Sequence, residues 1–243
     1  MTRASPSARR AVRGFTLIEL AIALFVIALL LGSLLVPLAT QVEQRQVAET
    51  EKRIEQIKEA LLGYAAASGH LPCPDVTGGT GANDGVEDVA ADGTCRSDDG
   101  NLPWVTLSTG STDAWNNRFR YHPDTSFAQR APSALFGLTT NADVKVWTDA
   151  THTTPLTSGG GNGALAVILS HGKNGRGAMN ALTGTVNPPP LGADELENAD
   201  GTLHFVSRTA GAPGSIAGEF DDIVSWLPKY VLYNRMVSAG RLP

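Results

Sequence analysis

The sequence predicts an α+β protein in which a long N-terminal hydrophobic helix packs on a C-terminal antiparallel β-sheet head. Three observations support this fold class. An apolar run extends from Leu20 to Ala39 without a charged side chain, and an amphipathic segment follows it up to Ser68. The rest of the chain consists of short alternating segments separated by Gly, Asn, Asp and Pro, the pattern of strands and turns.

The apolar run is long enough to be a membrane span. A helix rises about 1.5 Å per residue, so a run of this length covers roughly the 30 Å hydrocarbon core of a bilayer. The first fourteen residues contain four arginines and no acid, and the positive-inside rule then places the chain after the run on the far side of the membrane. A cleaved secretory signal is disfavoured because its apolar region is only about 7 to 15 residues long. A plain signal anchor remains the simplest alternative.

Charge and motifs exclude several function classes. The formal net charge is −5, and the four leading arginines leave −9 for the remainder. An acidic head argues against nucleic acid as a partner, because nucleic-acid surfaces are basic. The sequence has no G-x-S-x-G elbow, and Gly172-Lys173 lacks the upstream glycine and the following Ser or Thr of a phosphate loop. We therefore expect no enzymatic activity.

One acid, Glu19, lies at the start of the apolar segment. Thr16 and Glu19 have the T-x-x-E spacing of a capping box, in which both side chains satisfy free amides at a helix start. A carboxylate in an apolar helix also costs roughly 2.5 to 3.5 kcal/mol at the centre of a membrane, so an oppositely charged partner would be favourable. Both roles are open at this point.

The segment Gly14-Phe15-Thr16-Leu17-Ile18-Glu19, between a basic leader and the apolar run, resembles the class III signal of type IV pilins and type II secretion pseudopilins. The resemblance implies that a prepilin peptidase cuts between Gly14 and Phe15 and that the new amino group of Phe15 is N-methylated. It also implies that Glu19 assists filament assembly by neutralising the Phe15 amine of a neighbour. The implied partners are the peptidase, other pilin or pseudopilin subunits and inner-membrane lipid.

The pattern and the resemblance together divide the chain into four segments. They are a cleaved leader (1–14), a transmembrane or filament-core helix (15–39), an amphipathic stem helix (40–69) and a globular extracytoplasmic head (70–243). The stem carries an apolar stripe at helical spacing and stops at Gly69 before Leu71-Pro72. The stripe consists of Val47, Ile54, Ile57, Leu61 and Tyr64. The implied location is the bacterial inner membrane, single-pass with the head in the periplasm, and afterwards a filament.

The two cysteines of the chain, Cys73 and Cys95, flank a loop rich in Gly, Asp and Thr. Two cysteines in an exported domain indicate one disulfide, although two free thiols are the alternative. The acidic stretch 83–88 lacks the residue order of an EF-hand, so turns are the preferred interpretation.

Five short segments of the head are predicted strands of one antiparallel sheet, with Leu165–Leu169 the most buried. A short helix is expected after Pro228. The predicted strands are Trp104–Leu107, Arg118–Tyr121, Val144–Trp147, Leu165–Leu169 and Leu203–Val206.

Three segments of the head resemble pseudopilin motifs. They begin at Asp113, Ser170 and Asp221, and they are similar to D-x-W-G-x-x-x-x-Y, S-x-G-x-x-G and D-D-I-x-S-W, with Asn116 in place of the usual glycine. In major pseudopilins the corresponding C-terminal loop binds calcium. The resemblance makes Asp200, Asp221 and Asp222 candidate ligands, with surface or capping acids as the alternative. No other cofactor is expected.

The predicted function is a structural subunit of a type IV pilus or a type II secretion pseudopilus. The large head with its Gly- and Pro-rich insertions favours a minor subunit over a major one, and a DNA-uptake pilin would require an exposed basic stripe. The alternative outside this class is a non-assembling, signal-anchored periplasmic binding module that retains its first fourteen residues.

Overall fold

The computed structural model describes residues 14–76, 83–130, 136–216 and 218–242, and for 31–38 it describes the backbone alone. Residues 1–13 of the predicted leader lie outside this description. The chain divides into two compact units, with the boundary between Arg45 and Gln46. A long helix is followed by an antiparallel sheet, so the predicted α+β class is confirmed.

The elements after the long first helix are short. In chain order they are α1 (Leu17–Ser68), β1 (Gly100–Asn101), α2 (Trp104–Leu107), β2 (Arg120–Pro123), α3 (Thr125–Ala128), β3 (Lys145–Trp147), β4 (Ala164–Ser170), α4 (Ala193–Glu197), β5 (His204–Val206), β6 (Ile223–Pro228) and α5 (Lys229–Ser238).

The N-terminal unit contains the first part of α1, up to Arg45. The side chains of residues 14–30 are exposed on every side of the helix, most of them apolar. Within the described part of the chain, no helical segment combines the length and the apolar character that a membrane crossing requires. Residues 31–38 of the predicted span have side chains outside that description.

The second unit begins with the stem part of α1, and this part is amphipathic as predicted. Ile54, Ile57 and Leu61 are buried in the main hydrophobic core, whereas Glu51 and Glu55 are exposed. The helix ends at Ser68, and Gly69 follows it with a φ of +87°, the left-handed conformation of a helix C-cap.

The central sheet has the strand order β1-β2-β4-β6, and every neighbouring pair is antiparallel. All seven residues of β4 are buried, as predicted for this strand. Leu165 and Ile168 belong to the core that includes α1, whereas Val167 and Leu169 belong to a second, smaller core. The strand is apolar from Ala164 to Leu169 because both of its faces are covered.

Two of the predicted strands form a separate sheet, which corrects the prediction of one antiparallel sheet. Strands β3 and β5 pair with each other in parallel. A parallel pair needs a long crossover connection, and the chain between Trp147 and His204, which includes β4 and α4, supplies it. Phe205 of β5 packs with Val167 and Leu169 of β4 in the smaller core, so the small sheet helps to cover the second face of β4.

Two further strand predictions differ from the structure. Trp104–Leu107 is the short helix α2, preceded by Pro103 and closed by Ser108 with a φ of 54°. Four residues are too few for the sequence pattern to distinguish one helical turn from a strand. Strand β2 starts at Arg120, two residues later than predicted.

The C-terminal helix α5 forms after Pro228, as predicted, and closes over the stem. Leu232, Tyr233 and Met236 are buried in the same core as the stem residues. Beyond α5, the guanidinium of Arg241 donates to the carbonyl oxygens of Ala66 and Ala67 in the last turn of α1. A cation at this position satisfies free carbonyl groups and interacts favourably with the helix dipole.

Candidate functional site

The Gly14–Phe15 peptide bond lies before the first turn of α1, in backbone that is neither helix nor strand. The Phe15 side chain is 87% exposed, and a Cβ on Gly14 would have no atom within 4 Å. The described part of the chain therefore does not itself require glycine at this position. A preference for glycine here would come from a partner that binds this segment.

Thr16 and Glu19 form the predicted capping box at the start of α1. The Thr16 amide donates to Glu19 Oε2 at 3.3 Å, and the Glu19 amide donates to Thr16 Oγ1 at 3.2 Å. The pair satisfies two of the free amides at the helix start. Both residues are exposed, so the carboxylate is capped within its own chain while it stays accessible to a partner.

Apolar side chains near Glu19 and further along the first part of α1 are largely exposed in the described part of the chain. Leu17 is 90% exposed and Phe25 is 69% exposed, and Ile18, Ile22 and Leu30 are likewise exposed. Apolar surface in water is unfavourable by about 25 cal/mol per Å², and large exposed apolar patches mark interaction or membrane surfaces. This part of α1 needs an apolar environment that the chain itself does not provide.

Cys73 and Cys95 form the predicted disulfide, with their Cα atoms 5.2 Å apart. The bond fixes both ends of the loop that precedes β1. The Cys73 amide also donates to Glu87 Oε2 at 3.1 Å, and the Tyr64 hydroxyl of the stem donates to Oε1 of the same carboxylate at 2.7 Å. Covalent and polar contacts thus join the loop to α1.

A second candidate site is a cluster of three carboxylates, Glu195, Asp221 and Asp222. Each residue contributes one carboxylate oxygen, and these three oxygens lie within 4.8 Å of one another. Glu195 is on α4, whereas the two aspartates directly precede β6. Asp200, part of the predicted set, is not a member, and its carboxylate accepts a hydrogen bond from the Thr202 amide at 2.9 Å in a local turn.

The carboxylates are only partly satisfied by hydrogen bonds. Asp221 Oδ2 accepts from the Asn174 amide at 2.7 Å, and Asp222 Oδ2 accepts from Asn198 Nδ2 at 2.8 Å. The Oδ1 atoms of both aspartates are buried and have no hydrogen-bond partner among the described residues. The His171 ring is also close, with its Nδ1 atom 3.6 Å from Asp222 Oδ1, beyond hydrogen-bonding distance.

Burial and mutual repulsion make it unfavourable for all three carboxylates of this cluster to be ionised at once. Burial, together with the nearby Glu195 and Asp222 carboxylates, raises the pKa of Asp221 to about 7, against the hydrogen bond from the Asn174 amide. Burial also raises the pKa of Glu195. The cluster therefore needs a proton or a cation, and hard oxygen donors at these distances are the ligand type that Ca²⁺ prefers. Glu195, Asp221 and Asp222 fit such an ion by their donor chemistry, and the two aspartates also by their unpaired buried Oδ1 atoms. Both oxygens of Glu195 accept hydrogen bonds from Asn174 Nδ2, and Oε1 also accepts from the Asp221 amide.

The turn that supplies the Asn174 amide depends on Gly172. Its φ is +58°, and a Cβ there would stand 2.2 Å from the Asp221 carbonyl oxygen. The glycine of the S-x-G-x-x-G segment thus allows the backbone of this turn to contact Asp221 closely.

Two of the pseudopilin-like segments meet through Asp113 and Ser170. The Ser170 hydroxyl donates to Asp113 Oδ2 at 2.6 Å, and Asp113 Oδ1 accepts from the amides of Trp115 and Asn117. Burial raises the pKa of Asp113, and these hydrogen bonds partly offset that effect. The Ser170 hydroxyl donates to Asp113 rather than to His171, and the His171 ring has no hydrogen-bond partner among the described residues. Ser170 and His171 therefore do not form a nucleophile and its base.

Sequence reasoning missed Glu195 and Asn198. Asn198 is fully buried, and its side chain both accepts from the Val206 amide and donates to the Val206 carbonyl, so it completes the hydrogen bonding of β5. The acid-rich start of α4 is visible in the sequence. The proximity of Glu195 to Asp221 depends on the tertiary structure, which the local sequence pattern does not specify.

The comparisons with known proteins identify the N-terminal segment. The family model described as the prokaryotic N-terminal methylation motif matches residues 9–35. No curated protein and no solved structure matches the chain. The matched segment contains Gly14, Phe15 and Glu19, and this signal points to a structural, pilin-like protein. Residues 9–35, 27 of the 243 residues, therefore match the type IV prepilin signal.

Proposed function

We propose that the chain is a minor structural subunit of a type IV pilus or a type II secretion pseudopilus. In this proposal prepilin peptidase removes residues 1–14, and Phe15 becomes the N-methylated first residue of the mature subunit. The observation that carries the proposal is the prepilin signal at residues 9–35, which leads directly into a helix with exposed apolar sides.

The N-terminal part of α1 has two apolar environments available in this function. Before assembly, inner-membrane lipid covers the predicted span 15–39, with the head in the periplasm. After assembly, the equivalent helices of neighbouring subunits cover it. The exposure of Leu17 and Phe25 supports this scheme, because a helix that is apolar all round is stable only when it is buried.

Glu19 acts as a registration residue in this scheme. Cleavage creates a positive amine on Phe15, four residues before Glu19. Within an apolar filament core, an unpaired carboxylate and an unpaired amine are each costly, whereas the pair is favourable. A neighbour is therefore stabilised in the one axial position that brings its Phe15 amine to Glu19. The capping box holds the carboxylate at the helix start, and the two roles are compatible.

The head supports a minor rather than a major role. Residues 179–218 form a long connection that includes α4 and β5 and presents exposed apolar side chains, among them Leu182, Leu191 and Ile216. Such features suit specific contacts at a tip or during initiation more than uniform repetition along a filament.

Mass spectrometry of the mature N-terminus tests this proposal, together with purification of filaments from the same cells. We expect a chain that begins at Phe15 and carries one additional methyl group, present in filaments at low abundance. An intact chain that begins at Met1 would contradict the proposal and favour the signal-anchored binding module. A processed chain that is absent from filaments would contradict the assembly role alone, and high abundance would contradict the minor role.

We also propose that the cluster of Glu195, Asp221 and Asp222 holds a structural calcium ion. The unpaired Oδ1 atoms of the two aspartates support this proposal. An ion that binds only the folded state at a hundred times its Kd stabilises that state by about 2.7 kcal/mol. We expect calcium to raise the melting temperature of the wild type relative to chelator, and Glu195→Gln to remove most of this rise.

Asp200→Asn is the matched control for the calcium experiment, since Asp200 lies outside the cluster. This variant is expected to keep the full response to calcium. Equal melting temperatures of the wild type with calcium and with chelator would overturn the calcium proposal and leave the filament proposal unaffected.

A further inference from the structure

The head contains a polar cavity of about 560 Å³ that none of the functions above uses. It lies beside β1 and the start of β2, and the segment 176–187 forms its other wall. Three arginines and one acid line it together with small apolar side chains. The charged lining residues are Arg96, Arg118, Arg120 and Asp99. A volume of this size is within the range of small-molecule sites.

The arginines of this cavity differ in how their charges are balanced. Arg120 donates to both oxygens of Asp99, at 2.7 Å and 2.5 Å. Burial alone would raise the pKa of Asp99, but the neighbouring His122 ring, with its Nδ1 atom 3.6 Å from Asp99 Oδ1, and the charge and hydrogen bonds of Arg120 hold that pKa below its usual value. The Asp99–Arg120 pair is therefore an ionised and internally balanced part of the wall.

Arg118 has no such carboxylate in contact. Its guanidinium lies over the ring of Trp104, 3.9 Å from the ring centroid, and no described residue forms a hydrogen bond or an ion pair with it. Burial lowers the pKa of Arg118, and the field of the Asp75 carboxylate opposes this effect. Stacking fixes the plane of the guanidinium and leaves the N–H groups at its edges free to donate.

The remaining lining gives the cavity an apolar side. Met179 and Val186 contribute side chains, and Ala178 and Ala199 line the same space. Val186 lines the cavity and is 62% exposed, so it lies at the rim. A partly buried cation next to small apolar residues suits a ligand that carries one anionic group on an apolar body.

We infer that this cavity binds a carboxylate ligand with an apolar body, and that Arg118 holds the carboxylate through its free N–H edge. The planar guanidinium matches the two oxygens of a carboxylate. Because Asp99 and Arg120 balance each other, the inner wall offers one unpaired guanidinium, and the single charge of a monoanion matches it. Arg96, an exposed cation at the cavity, adds attraction at long range.

Binding of three simple probes to the full chain in detergent tests this inference. The probes are hexanoate, its neutral counterpart hexanamide and inorganic phosphate, and the readout is titration calorimetry together with Trp fluorescence. We expect saturable binding of hexanoate at least tenfold tighter than that of the other two. Equal binding of hexanoate and hexanamide, tighter binding of phosphate, or no saturable binding of any probe would overturn the inference.

Two variants locate the binding site. Arg118→Gln is expected to weaken hexanoate binding at least tenfold, whereas Arg235→Gln, which removes an exposed arginine paired with Glu59 outside the cavity, is expected to leave it unchanged. Val186→Glu places a carboxylate at the cavity without removing a buried contact, and it is expected to abolish binding even if Arg118→Gln fails to fold. Unchanged affinity in Val186→Glu would overturn the assignment to this cavity.

Discussion

The N-terminal part of α1 and the head differ in whether their apolar side chains are buried. The head buries its apolar side chains within the chain, in two cores on the two faces of β4. The described apolar side chains of residues 15–30 are all exposed. The described part of the head has a hydrophobic core of its own, whereas the described apolar side chains of the N-terminal segment are not buried. Changes in the first region should therefore act on processing and assembly, and changes in the second should act on stability.

The largest expected effect in the N-terminal region is that of Gly14→Trp. A bulky side chain next to the scissile bond should block cleavage almost completely, because the prepilin peptidase must bind this segment closely. The fold itself leaves open space at this position, so the stability of the head should not change. A size-shift assay on membranes, with thermal unfolding as the control, measures both. Normal cleavage would contradict the assigned site, and a destabilised head would contradict the separation of the two regions.

The next largest effect is a loss of filament assembly while cleavage of the leader stays normal. Glu19→Ala should leave cleavage after Gly14 intact and reduce incorporation into filaments at least tenfold, the equivalent of about 1.4 kcal/mol per subunit contact. Thr16→Ala is the matched control, because it removes the partner of the capping box at a cost of about 1 kcal/mol but keeps the acid. Equal loss of assembly in both variants would attribute the effect to capping rather than to charge pairing.

In the head, the disulfide gives the largest expected change in stability. Replacement of both Cys73 and Cys95 by Ser should lower the free energy of unfolding by roughly 3 kcal/mol, because the unfolded chain regains the entropy of the loop between them. For a domain of this size, the corresponding shift in melting temperature is roughly 6 to 12 °C. Differential scanning calorimetry of the oxidised wild type and the double variant measures it. The N-terminal processing of the double variant should be normal, and loss of cleavage would contradict the independence of the two regions.

The smallest effect is a dependence of head stability on pH. The folded-state pKa of Asp221 is raised to about 7, above an unfolded value of about 3.9. The folded state thus binds more protons than the unfolded state between these values, so stability should fall as the pH rises from about 4 to about 7. The effect should be clearest in chelator and weaker with calcium. Melting temperatures at pH 5 and pH 8 test this, and Asp221→Asn should remove most of the dependence; an equal dependence in that variant would assign it to another group.

The parts of the fold that the sequence predicts are those encoded by local pattern. The stripe of Ile54, Ile57 and Leu61 identified the buried face of α1, and Gly69 identified its end. The continuous apolar run of β4 identified the most buried strand. Each of these signals depends on residues within a few positions of one another.

Predictions failed where distant residues decide the outcome. The alternating segments at β3 and β5 look like members of an antiparallel sheet, but they pair in parallel because a long connection brings their ends together. Asp200 is closer in sequence to Asp221 than Glu195 is, yet Glu195 belongs to the acidic cluster. Sequence distance is a poor guide to spatial distance once a short helix and a turn lie in between.

The sequence by itself determined the prepilin signal, the capping box, the amphipathic stem and the disulfide partners. It could do so because a peptidase binds a linear segment, a helix start is local, and two cysteines allow one pair. The tertiary structure decided the position of Glu195 beside Asp221, the joining of Asp113 to Ser170 and the stacking of Arg118 on Trp104. In each of these cases separate segments meet only when the sheet forms, because the contacts depend on long-range packing rather than on neighbouring residues.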